Sequence, residues 1–363
     1  MINNRILCLI DTLGMGGAER QMIGLVLLLK QRGYHVDLVT YYDHDFYAEL
    51  VQRYRLGSVT LYVGNSPYSK LMAVRKHIKE NGGYDWVISY KTGPNIIGCL
   101  LRLLGMKFRL MVSERNTTQH IRRKEKIQFS LYRMADYVIP NSYSQANFIN
   151  EHFPWLKAKT VVITNFTDTN RFVPIKTELS DVLNILTTAR VAKQKNVLRY
   201  LDAIYLLRQR GVNNVHFDWY GDVQTGEEAY GEEVFRKVKE LKLDDMITFH
   251  PATPNILEHY QKCDIFCLPS NYEGFPNVVC EAMSCGKPIL CSRVCDNPFI
   301  VKEGENALMF DNTCVEDMAD KIQQICSMKQ DVLSKWGKLS RDIAVELLSM
   351  DAFVDKYIKL IEN

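Results

Sequence analysis

Short apolar runs alternate along this chain with longer segments whose apolar residues recur every three or four positions. Arg5 to Ile10 reads as a buried first strand, and Ala18 to Arg32 as a helix closed by Gly33. His35 to Tyr41 is the next strand; Val59–Val63, Trp86–Tyr90, Arg109–Val112, Tyr137–Pro140 and Thr160–Ile163 follow. The series restarts with Leu183 to Thr188 and a helix from Asn196 to Gln209, closed by Gly211. His216–Tyr220, Ile247–His250, Ile265–Leu268, Ile289–Cys291 and Ala307–Phe310 continue it, and Asp351 to Glu362 predicts an amphipathic helix. Strands separated by helices of ten or more residues predict an α/β protein with a parallel sheet in each half. Asn165 to Asp181, with Pro174 and mixed polar residues, predicts a linker. The chain holds no internal repeat and no low-complexity tract.

At 363 residues the chain is long enough for two domains, each burying its own core. No apolar run reaches membrane-spanning length, and the opening M-I-N-N-R-I-L-C-L-I-D has too short an apolar core for a signal peptide. Charge divides the halves. Up to Asn165 there are 22 Lys and Arg against 12 Asp and Glu; beyond it, 23 against 30. The basic half is expected to face something anionic. Eight of the 10 cysteines fall between Cys263 and Cys326 without a C-x-x-C pair, which predicts buried free thiols in a reducing compartment.

The segment Pro269 to Pro288, P-S-N-Y-E-G-F-P-N-V-V-C-E-A-M-S-C-G-K-P, carries the strongest chemical signal. It gives a polar loop after a strand, a Gly-Phe-Pro corner, and a short helix. Pro276 suits the first helical position and Gly286 the position past the end. This frame fixes Glu273 in the loop and Glu281 on the helix. The amides from Gly274 to Asn277 are expected to be unpaired helix-start donors, an anion site. Loops at the carboxyl ends of strands are where open α/β sheets bind ligands. The spacing of the two acids alone says little. Glu232 and Glu240 repeat it within E-E-V-F-R-K-V-K-E, a solvated helix face.

Three further segments bear chemistry. The glycine-rich D-T-L-G-M-G-G-A-E-R, Asp11 to Arg20, lets backbone amides approach a phosphate closely. After Gly14 and Gly16, Glu19 stands where a dinucleotide fingerprint needs glycine, which disfavours NAD. T-A-R-V-A-K-Q-K-N, Thr188 to Asn196, puts Arg190 just past a strand and Lys195 at the next helix start, with Lys193 facing solvent. Ile121 to Arg133 holds five basic residues and one acid among apolar ones, a pattern suited to a membrane surface or an anionic acceptor. No Asp-x-Asp sits in a plausible sugar site and no His cluster has metal spacing, so no obligatory metal is expected. The absence of an aromatic platform or recognition module argues against nucleic acid.

These segments resemble the retaining glycosyltransferases of family 4, the group 1 glycosyl transferases. The likeness covers nearly the whole chain and is strongest from Arg190 to Asp311. It implies the GT-B fold, two Rossmann-like domains with parallel sheets facing each other across a cleft. Residues 1–165 would form the acceptor side, 166–181 the linker and 182–350 the donor side, with the helix 351–363 packed back on the first domain. In the donor site, Arg190 and Lys195 would hold the two phosphates and Glu281 the ribose hydroxyls. Glu273 would contact the donor sugar, helped by the backbone of Gly274, Phe275, Pro276 and Asn277. Gly16 and Gly17 would border the diphosphate, and His250 and Pro251 open the stretch lying against the base. Arg190, Lys195 and Glu273 are the implied catalytic residues. Departure of a nucleoside diphosphate builds negative charge that fixed cations stabilise. The family's acceptor-side His has no counterpart here. V-S-E-R-N-T-T-Q-H places Glu114, Arg115 and Asn116 in that loop, ahead of His120.

The expected protein is therefore a cytoplasmic hexosyltransferase without a cofactor. It would move a sugar from a nucleotide sugar, with UDP as the expected nucleotide, to a hydroxyl of a glycan or lipid-linked glycan, with retention, in cell-surface polysaccharide synthesis. Ile121 to Arg133 would touch the inner face of the membrane. Two rivals remain open: a sugar-nucleotide 2-epimerase of the same architecture, revealed by turnover of UDP-sugar alone, and a non-catalytic binder, revealed by donor binding without turnover.

Overall fold

The structure, a computed structural model, describes residues 5–14, 16–42, 46–61, 64, 66–115, 118, 120–176 and 182–363. It divides into two compact units: Met1–Phe166 with Met350–Asn363, and Thr167–Ser349.

Unit 1 carries strands β1 (Arg5–Leu9), β2 (His35–Thr40), β3 (Ser58–Thr60), β4 (Trp86–Tyr90), β5 (Arg109–Glu114) and β6 (Tyr137–Pro140). They pair in parallel in the order β3-β2-β1-β4-β5-β6. Apolar side chains line both faces. Ile6 and Cys8 lie in one core with the helices Gly17–Gln31 and Met350–Glu362, while Leu7 and Leu9 lie in the other. Strands buried on both faces need continuous apolar runs, which is why they stand out in the sequence.

Unit 2 repeats the plan with β7 (Leu183–Thr188), β8 (Val215–Tyr220), β9 (Ile247–His250), β10 (Ile265–Leu268), β11 (Ile289–Ser292) and β12 (Ala307–Phe310). The parallel order is β12-β11-β10-β7-β8-β9. In each sheet the strand order reverses once, between β1 and β4 and between β7 and β10. Loops leaving the carboxyl ends of such strand pairs diverge and open a crevice.

Several boundaries differ from the sequence reading. Of Val59–Val63, the described strand is Ser58–Thr60, and residues 62 and 63 lie outside the described residues. Thr160–Ile163 is not a full strand. It runs along β6 through one bridge at Thr160 and the bonds from the Val161 and Ile163 amides. The helix read from Asn196 starts at Val197, because Asn196 sits left-handed at φ 59° after a 3-10 turn, Lys193–Lys195. The expected linker is not free. The Ser284 hydroxyl and the Arg341 guanidinium donate to the Phe172 carbonyl, Gln261 donates to that of Val173, and Phe172 lies in a unit 2 core. Residues 177–181 lie outside the described residues.

Candidate active site

In unit 2 the site grows from the ends of the two strands at the sheet's reversal. β7 runs into Arg190 and the turn Lys193–Lys195; β10 runs into the loop from Pro269 to Pro276. Backbone and amide bonds lace the two loops together. The Asn271 amide donates to the Gln194 carbonyl at 2.8 Å, the Asn271 side chain to the Lys193 carbonyl at 2.8 Å, and Gln194 to the Tyr272 carbonyl at 3.0 Å. Across this seam Lys195 Nζ meets Glu273 Oε1 at 2.6 Å, with the side chains 12% and 9% exposed. Ser270 Oγ donates to the same oxygen at 2.5 Å. Arg190, just past the end of β7, is exposed and makes no ion pair among the described residues. Gly221 is required behind it: its φ is 152°, and a Cβ there would lie 2.1 Å from the Ala189 carbonyl oxygen.

The helix after the corner spans Asn277–Ser284. Pro276 is its cap residue rather than its first helical residue. The Asn277 amide is not a spare donor, since it closes on the Phe275 carbonyl at 3.0 Å, and the Glu273 amide points to Cys295 Sγ at 3.4 Å. The amides of Gly274 and Phe275 make no hydrogen bond among the described residues. The Phe275 ring is buried in the core. Glu281, 8% exposed, accepts from the Tyr260 hydroxyl at 3.0 Å. Burial first, then the charge of Glu281, pushes the Tyr260 hydroxyl well above the ordinary tyrosine range, so it remains a donor. At the ends of β8 and β9, His250 Nε2 lies 2.6 Å from Asp218 and stacks on Tyr220 with centroids 4.2 Å apart. Pro251 follows, exposed.

Unit 1 revises several expectations. Gly16 is small because a Cβ there would sit 2.2 Å from the Glu19 carboxylate. Glu19 is thereby seated against Lys91, with Nζ 2.5 Å from Glu19 and 2.9 Å from Asp11. Gly17 is the exposed first residue of its helix. Burial works to lower the Lys91 pKa, and the two carboxylates outweigh it, so the ammonium is held charged. Lys91 has φ 75° and ψ 159°, a strained backbone for a residue with a Cβ. This Asp11–Glu19–Lys91 cluster at the β1/β4 reversal escaped the sequence reading. The position of Lys91 after a strand was visible, but which strands flank the reversal was not.

Glu114 is a core group rather than an open acceptor contact. At 3% exposure its Oε1 accepts from Tyr132, from Asn95 at 3.1 Å and from Gln128 at 3.0 Å. Arg115 is engaged as well. It donates to Asn165 at 2.9 Å and to the Tyr357 hydroxyl at 3.0 Å, and stacks 3.8 Å above the Tyr90 ring. His120 is exposed, and Asn116 lies outside the described residues. Among the described residues no group of three or more His, Cys, Asp or Glu is arranged to hold a metal, and no helix is long and apolar enough to cross a membrane.

Two parallel doubly wound sheets of this strand order are the architecture of the GT-B class. The model of "Glycosyl transferases group 1" matches residues 170–342 and that of "Glycosyltransferase Family 4" residues 15–171. The chain belongs to this family of GT-B, family 4-like glycosyltransferases. It is 26% identical over 300 residues to N-acetylgalactosamine-N,N'-diacetylbacillosaminyl-diphospho-undecaprenol 4-alpha-N-acetylgalactosaminyltransferase of Campylobacter jejuni, covering 78% of this chain and 79% of that one. It is 24% identical over 240 residues to the lipopolysaccharide core biosynthesis glycosyltransferase LpsE of Rhizobium meliloti, covering 65% and 67%. Among solved structures, a glycosyltransferase from Rickettsia africae superposes with a TM-score of 0.88 at 16% identity, over 100% of this chain and 98% of that one. HepE of Anabaena in complex with UDP gives 0.86 at 19%, over 99% of each chain.

Proposed function

We propose that this protein transfers a hexose from a UDP-sugar to a hydroxyl of a lipid-linked glycan, with retention, in cell-surface polysaccharide synthesis at the inner face of the cytoplasmic membrane. The Lys195–Glu273 pair spanning the β7/β10 reversal carries the reading, with Arg190 just past the end of β7. Diphosphate oxygens would draw on Lys195 and Arg190 together with the Gly274 and Phe275 amides, while Glu273 and Glu281 accept from hydroxyls of the sugar and the ribose. As the glycosidic bond breaks, charge gathers on the diphosphate, where these groups stabilise the transition state more than the ground state. With retention, the departing phosphate takes the acceptor's proton and no separate protein base is required.

HepE has been solved with UDP, with UDP and glucose, and with UDP-glucose, which supports UDP as the nucleotide. The names of the Campylobacter and Rhizobium relatives support a polysaccharide or lipid-linked acceptor. The charge that a metal would supply is assigned to Arg190 and Lys195, so transfer should survive EDTA. Replacing Glu281 or Lys195 by alanine should lower kcat/KM for the donor at least tenfold, about 1.4 kcal/mol. Unchanged kcat/KM in both variants rejects the donor site, and epimerised UDP-sugar formed without acceptor rejects transfer.

A further inference from the structure

The helix Ile256–Lys262 places a fully buried tyrosine behind the acid of the donor site. Tyr260 has its hydroxyl 3.0 Å from Glu281 Oε2 and 2.7 Å from Thr188 Oγ1. The Tyr260 hydroxyl points its proton at Glu281, and a phenol has only one proton to give. Tyr260 therefore donates to Glu281, and the Thr188 hydroxyl must donate to Tyr260. Thr188, Tyr260 and Glu281 form a one-way chain in which each bond polarises the next. The ring itself is immobilised, with Phe172 at 5.9 Å and Phe266 at 5.6 Å between centroids. Thr188 ends β7, the strand that leads directly into Arg190, so one strand sets both the cation and the start of the chain.

A glutamate side chain has three rotatable bonds. To accept from both hydroxyls of a vicinal diol its carboxylate plane must already be turned correctly, and fixing that plane in advance removes an ordering cost from binding. We propose that Tyr260 and Thr188 are positioning residues that orient Glu281 to read a ribose diol, so that preference for ribose over 2′-deoxyribose depends on hydroxyls that do not touch the nucleotide. This rests on the assignment of Glu281 to the ribose above.

The test compares UDP with 2′-deoxy-UDP by titration calorimetry on the full chain. The unaltered protein should prefer UDP at least tenfold. Tyr260→Phe and Thr188→Val should each narrow the preference to under threefold, mainly by weakening UDP, while Thr188→Ser retains it. Circular dichroism and melting temperature check that each variant is folded, and the valine variant serves if the phenylalanine one is not. Full preference in both Tyr260→Phe and Thr188→Val, with loss in Glu281→Gln, overturns the positioning role and leaves the donor site standing. Full preference in Glu281→Gln as well, or none in the unaltered protein, overturns both.

Discussion

Lys195 and Glu273 form a nearly buried ion pair. Removing one partner of a nearly buried pair leaves the other charge uncompensated, which typically costs about 3–5 kcal/mol. Lys195→Ala should therefore destabilise the protein by about 3 kcal/mol, and adding Glu273→Gln should recover most of it. Chemical denaturation of the two singles and the double measures this coupling; additive losses would mean that the pair does not interact. Glu114 makes the opposite case. Burial, opposed by the bonds from Tyr132, Asn95 and Gln128, raises its pKa above the usual carboxylate range. The folded state then holds its proton after the unfolded chain has lost it. Stability present below the ordinary glutamate pKa is thus lost as pH rises toward the raised value. Glu114→Gln should flatten this decline, read as melting temperature from about pH 4 to 7. Parallel curves for the two proteins would contradict it. Glu114 had looked like an open acceptor contact because a polar residue after a strand gives no sign of the Tyr132, Asn95 and Gln128 that enclose it.

The helix Asn277–Ser284 follows the loop from Pro269 to Pro276 and ends in a turn that fixes its packing. Gly286 at φ 72° lets its amide reach the Met283 carbonyl at 2.9 Å and the Lys287 amide reach that of Ala282 at 3.1 Å. Its carbonyl oxygen lies 2.2 Å from where a Cβ of Gly337 would stand, so the helix Gln330–Leu348 packs against this turn with no room for a methyl group. Gly286→Ala should cost about 1–2 kcal/mol from its backbone conformation. Gly337→Ala should cost more, because backbone must move, and should also weaken donor binding by tilting the helix that carries Glu281. Calorimetric melting with a UDP titration checks both, and donor affinity unchanged in Gly337→Ala would break the link. Elements of this kind were legible where burial on both faces forces unbroken apolar runs, as in β1, β7 and β10. Legibility failed where a polar segment is fastened by side chains distant in sequence, as Phe172 is by Ser284 and Arg341. It also failed at the Pro276 corner, where the ring's fixed φ suits the cap as well as the first helical position. The positions of Arg190, Lys195, Glu273 and Glu281 at strand and helix ends were readable because local motifs carry them. Tyr260 and Lys91 were not, because their partners are assembled only by the sheet order.

At the scale of the molecule the chain carries 22 basic against 12 acidic residues up to Asn165 and the reverse imbalance beyond. Part of this excess is concentrated at the helix Arg123–Leu131, whose Gln128 and Phe129 point inward while Arg122, Arg123, Lys124 and Lys126 are exposed. Ile127, 55% exposed, stands among them. Such a face suits electrostatic attachment to anionic lipid more than deep insertion. Binding to vesicles containing phosphatidylglycerol, absent with phosphatidylcholine, should weaken as salt rises and disappear when those four cations become glutamate. Binding that survives the charge reversal would remove this surface from consideration.

The helix Met350–Glu362 supplies Phe353, Val354, Tyr357, Leu360 and Ile361 to the core of unit 1, and Arg115 and Tyr90 hold Tyr357 from the other side. Unit 1 is thus encoded in two pieces, with all of unit 2 between them. When Ser349 has been translated all of unit 2 has been synthesised, while the earlier unit still lacks the helix that completes the core holding Ile6, Cys8 and Met111. The first half of the message therefore cannot yield a finished product until the second has been read, and the nascent protein must be shielded from aggregation throughout that interval.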